Sequence, residues 1–130
     1  MRFGVGTVFW MPSPGIDRQH LFFVLTDPDP DDPDPDGHVV IVNMTELRDT
    51  SEDRSCILRA ADREHSAVRK DSVILYNAAA VAPVAKLREA WRMGMLHQHR
   101  DASPKLVAKI IAGARASPSL KPSLLALLPD

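Results

Sequence analysis

The chain of 130 residues has one cysteine, six glycines and 5 % aromatic residues. It has no apolar run approaching the roughly 18 residues that span a bilayer. The lone Cys56 can close no internal disulfide, which fits a reducing compartment. Its place in Cys56-Ile57-Leu58 marks it as a small buried hydrophobe rather than a nucleophile. The start, Met1-Arg2-Phe3-Gly4-Val5-Gly6, is too quickly interrupted for a signal peptide, so a soluble, cytoplasmic protein is expected, with no membrane partner. There is no Gly-rich phosphate loop and no Ser-His-Asp constellation. The four Phe, two Trp and one Tyr are expected to serve strands and a helix stripe rather than a nucleic-acid platform.

What is present is a pair of apolar runs. His20-Leu21-Phe22-Phe23-Val24-Leu25-Thr26 and Val39-Val40-Ile41-Val42-Asn43-Met44-Thr45 are short, rich in β-branched and aromatic residues, and bounded by turn formers. Both read as buried strands. Between them lies an acidic spacer over 27–37 in which prolines remove backbone donors and the carboxylates repel one another. Asp32-x-Asp34-x-Asp36-Gly37 matches the opening of a calcium loop, but Asn43 stands where that loop needs a bidentate Glu. The spacer therefore reads as a solvated hairpin tip, and no metal or cofactor is called for.

Further strands are expected at Gly6–Trp10, Cys56–Arg59 and Ser72–Tyr76, the last continuing toward Val81, with a loop over 11–17. Five short strands within about 80 residues favour a small barrel or sandwich. After Pro83 the period changes: Val84, Leu87, Trp91 and Met95 form a helical stripe over 84–96, ended by Leu96-His97-Gln98-His99-Arg100. Ser103-Pro104 offers a cap and a first-turn proline for a second helix that buries Leu106, Val107, Ile110 and Ile111. A last short helix over 119–128 would hold Pro122 in its first turn. The expected division is 1–83 for the barrel and 84–130 for a helical extension.

The net charge of −1 hides an asymmetry: residues 1–83 carry 8 Lys/Arg and 14 Asp/Glu, whereas 84–130 carry 8 and 3. The second part, at +5, reads either as a solvated helical surface or as a site for an acidic or polyanionic partner. His97 and His99 add to that basic face and cannot chelate one ion from a helix, being about 200° apart.

Gly6-Thr7-Val8-Phe9-Trp10, the loop 11–17, the run from His20, Asn43-Met44-Thr45-Glu46 and Asp71-Ser72-Val73-Ile74-Leu75 together resemble the MazF/PemK family of toxin ribonucleases over residues 4–82. His20 stands where that family has arginine, and Leu21 and Asn43 replace family prolines; Arg18 is the nearest arginine. The resemblance implies a small SH3-like barrel of about five strands; with the two or three C-terminal helices read from the periodicity after Pro83, an α+β chain is expected. It also implies a possible homodimer, an antitoxin protein as partner and cleavage of single-stranded RNA without a metal.

Such cleavage needs a base for the 2′-proton, an acid for the 5′-oxygen and cations on the phosphate. His20 and His65 suit the proton roles, Thr45 can donate to a phosphate oxygen, and Arg18, Arg48 and Arg69 can clamp RNA phosphates. The competing reading is a non-catalytic barrel that binds protein or RNA through the basic helical tail.

Overall fold

The computed structural model describes residues 1–12 and 19–129. Six strands form one antiparallel sheet: β1 (Val8–Pro12), β2 (Gln19–Val24), β3 (His38–Glu46), β4 (Ile57–Leu58), β5 (Ser72–Pro83) and β6 (His97–His99). Their order is β4-β5-β3-β2-β1-β6, so the sheet curls into a half-barrel whose two edges stay unpaired with each other. Three helices complete an α+β fold: α1 (Val84–Arg92), α2 (Pro104–Ala116) and the single turn α3 (Pro122–Leu125).

The two apolar runs became strands because both faces of the sheet are covered. Successive side chains alternate in direction along a strand. Leu21 and Phe23 therefore join Val40, Val42 and Ile74 in a core packed by Leu106 and Ile110 of α2. Phe22 and Val24 join Phe9, Val39 and Ile41 in a second core packed by Val84 and Leu87 of α1. Phe9 and Phe22 are directly paired and stack at 5.4 Å between ring centroids. Each such fully buried side chain contributes about 1.5–3 kcal/mol. With two cores, one on each side, a strand reads as continuously apolar.

β5 runs on past Tyr76 as expected, reaching Pro83, and it is bulged. Ile41 faces Ala80 and Asn43 faces Leu75, which leaves Val42 alone opposite residues 76–79. Tyr76, two residues after Ile74, falls on the same α2-side face at the start of the bulge, where it is 1 % exposed.

The expected helix over 84–96 stops at Arg92. Gly94 takes a left-handed φ of 74°, its N–H bonds the Trp91 carbonyl, and the Met95 N–H reaches back to the Ala90 carbonyl. This glycine-closed end is favoured because the residue has no Cβ to clash. The chain then turns along the free edge of β1. His97 and His99, expected to end the helix on its basic face, instead pair with Trp10 and Val8 as β6. Residues 84–130 thus supply an edge strand and a helix to each face of the sheet begun by 1–83.

α2 starts as its sequence dictates: Ser103 Oγ accepts the Leu106 N–H at 3.1 Å and Pro104 opens the first turn. The acidic spacer does form the β2–β3 connection, ordered by successive turns in which Asp29, Asp32 and Asp34 accept the N–H two residues on. Asp32 also meets His38 at 2.7 Å. β1 runs through Pro12, later than expected, and most of the loop expected over 11–17 lies outside the described residues.

Candidate functional site

A cleft of about 480 Å³ opens where the ends of β2, β3 and β5 meet the segment before β5. Strand register builds its floor. Trp10 pairs with Leu21, Leu21 with Met44, and Met44 with Ile74, which places one row of side chains across four strands on the α2 side of the sheet. Two residues along, Gln19, Glu46 and Ser72 continue the same face beyond the core, with Glu46 opposite Ser72. Ala67, Arg69 and Lys70 form the remaining wall.

Among the expected site residues, His20, Thr45 and Arg69 all border this cleft. His20 and Thr45 do so from the intervening pleat positions. Extending the Leu21–Met44 pair by one residue sets them opposite each other at the strand ends. Their side chains belong by alternation to the other face of the sheet. Thr45 accordingly also lines a polar cavity of about 270 Å³ with Arg48, Val73, Leu75 and Asn77. Arg48 sits there beside Glu46 at 3.7 Å, both exposed, a pairing worth little in water. Arg18 lies outside the described residues.

His65 lies elsewhere. It is 1 % exposed and does not border the cleft. Its Nδ1 accepts the Ala67 N–H at 3.0 Å, so its Nε2–H donates to the Arg100 carbonyl at 2.8 Å. Burial pushes its pKa below the ordinary imidazole value. The expectation that His65 transfers protons meets a ring whose two nitrogens are already committed to the backbone.

The cationic wall is held from its other end by Asp71. Its carboxylate accepts the Ala60 N–H at 2.9 Å and meets Arg59 at 3.1 Å, contacts that keep the group below the usual carboxylate pKa. Ser72 Oγ donates to the Lys70 carbonyl at 2.8 Å. Among the described residues Arg69 and Lys70 make no ion pair, and both are exposed.

Sequence reasoning missed Trp10, Glu46 and Lys70 as cleft residues. Trp10 reads as a strand aromatic and Lys70 as one of several loop charges. Only the pairing of β1 with β2, of β2 with β3 and of β3 with β5 brings them together. The cleft therefore offers a half-buried aromatic, a carboxylate and two cations that make no ion pair among the described residues, around an apolar floor. No family model matches the chain, and no curated protein matches it.

Proposed function

We propose that the cleft holds single-stranded RNA and that the chain is a MazF/PemK-like, metal-independent endoribonuclease built on an SH3-like barrel and neutralised by a partner antitoxin. The observation that supports this reading is the meeting of Trp10, Glu46, Arg69 and Lys70 in one cleft bordered by His20 and Thr45. Arg69 and Lys70 neutralise the phosphate, and Trp10 offers a face on which a base stacks. Glu46 is the carboxylate best placed to take the 2′-proton, and His20, at the strand mouth, serves the leaving 5′-oxygen.

The pleat position of His20, turned by alternation from the cleft face, favours the second reading, a module that binds RNA without cutting it. Purified protein incubated with single-stranded RNA in EDTA separates the two. Cleavage that is lost in Glu46→Gln and Arg69→Ala supports the nuclease. Binding without cleavage, and without growth arrest on expression, leaves only the module. Neither binding nor cleavage removes both.

A further inference from the structure

We infer that His65 is a positioning residue for the cationic wall of the cleft, its imidazole clasping the turn that precedes Arg69 and Lys70. The inference uses the RNA-binding reading only for one of its two measurements.

The geometry is that of a clasp with two hooks. Nδ1 accepts the N–H two residues on, at Ala67, as the side chain of an Asx turn does. The Val68 N–H closes the same turn on the His65 carbonyl at 3.0 Å. The other hook, Nε2–H, fastens to the Arg100 carbonyl immediately after β6. That connection is itself fixed to the sheet, since the Ala102 N–H donates to Gly6 at 2.8 Å. Ala67 already lines the cleft, and from Asp71 the chain is anchored again by Ala60, Arg59 and the Leu47 N–H. Arg69 and Lys70 therefore sit on a short span between two fixed ends, and His65 is the end nearer the helices.

The clasp needs an unprotonated Nδ1. Burial favours that form, and so do the charged or chargeable groups that face the ring: His99, whose centroid lies 4.9 Å away, and Arg100. Phe23 covers it edge-on at 6.3 Å. Nearby, Glu64 and Lys109 pair at 3.0 Å and bind the segment's start to α2.

Three variants take the hooks apart. His65→Asn keeps an acceptor in the Nδ1 place, His65→Gln keeps a donor that can reach Arg100, and His65→Leu keeps neither. The first measurement is hydrogen exchange of the Ala67 amide in the folded full chain. The second is affinity for a single-stranded RNA oligonucleotide. Exchange at Ala67 is expected to be slow in the wild type and His65→Asn, and fast in His65→Gln and His65→Leu. RNA affinity is expected to stay within about threefold in His65→Asn and to fall about tenfold in His65→Gln. In the His65→Leu background Arg69→Ala should cost little more, because the arginine is already misplaced. If His65→Leu does not fold, the Asn and Gln variants carry the comparison. RNA affinity unchanged across folded variants, or full additivity with Arg69→Ala, overturns the inference. Wild-type protein that binds no RNA strikes the cleft reading instead. Exchange then decides the clasp alone, and an Ala67 amide as fast in the wild type as in His65→Gln overturns it.

Discussion

The Tyr76 hydroxyl donates to the Ile110 carbonyl at 2.6 Å, tying the bulge of β5 to the middle of α2 across the buried core. At the start of the bulge the strand's α2-side face carries an aromatic inward, and its polar end finds a partner on the helix that covers it. Burial, with Cys56 alongside, raises the pKa of the phenol, so it stays a donor at any ordinary pH.

Tyr76→Phe is expected to cost about 1 kcal/mol, the low end for a buried hydrogen bond. A carbonyl within a helix keeps its intrahelical partner, so the substitution leaves no orphan acceptor. Urea unfolding with an unchanged m-value checks this. A loss several times larger would mean that the bulge itself depends on the hydroxyl.

Two glycines should respond to alanine for different reasons. A Cβ at Gly113 would run into the Tyr76 hydroxyl and come within 2.7 Å of the Cys56 Cβ and 3.1 Å of the Ser55 carbonyl. Overpacking of about 1–3 kcal/mol should outweigh the gain of about 1 kcal/mol in helix propensity. A Cβ at Gly94 meets nothing within 4 Å, but φ is +74°. Gly94→Ala should therefore cost about 1–2 kcal/mol from backbone conformation alone. Adding Tyr76→Phe should relieve part of the Gly113→Ala penalty and leave that of Gly94→Ala unchanged. Equal effects on both, measured by denaturation, would contradict the steric account.

The contrast between elements shows which parts of the fold are written locally. β2 and β3 are legible because their apolar runs reflect two covered faces, and α2 because Ser103 and Pro104 mark its start. β6 is not legible: His97-Gln98-His99 carries no strand pattern and is a strand only because the Gly94 turn lays it against β1. The bulge of β5 is not legible either, since it exists only in the register between β3 and β5. At the cleft, His20, Thr45 and Arg69 were singled out in the sequence, whereas Trp10 and Glu46 acquire their places from register between strands. His65 looks like a catalyst in the sequence because burial and backbone bonding leave no mark there.

Acid should destabilise the protein through His65. Its folded pKa is depressed by burial, so as pH falls below the ordinary value of about 6.5 the unfolded chain takes up a proton that the folded chain refuses. Stability then falls with pH until the lowered folded pKa is passed. His38 acts in the opposite sense: its hydrogen bond to Asp32 raises its pKa, so its contribution is present below about 6.5 and fades as pH rises through the raised value. His38 is partly exposed and screened by salt. Urea midpoints should drop between pH 7.5 and pH 5.5, less steeply in His65→Asn and more steeply in His38→Ala. High salt should shrink the His38 effect and leave that of His65. A midpoint that rises on acidification in high salt would rule out the buried neutral imidazole.

Arg69 and Lys70 should announce themselves through salt rather than sequence preference. Both are exposed cations with no ion pair among the described residues. For single strands the logarithm of affinity falls with the logarithm of salt by about 0.7 per phosphate neutralised. Arg69→Ala and Lys70→Ala should each lower that slope by about 0.7 and weaken RNA uniformly across sequences, without changing the urea midpoint. Arg48→Ala, on the neighbouring cavity, should leave the slope unchanged. Trp10 supplies an independent reading of the same event. In a Trp91→Phe background, which removes the exposed tryptophan, RNA should quench the remaining fluorescence as a base stacks on Trp10. Quenching with an unaltered slope in both cation variants would place RNA on the aromatic face but away from the Arg69–Lys70 wall.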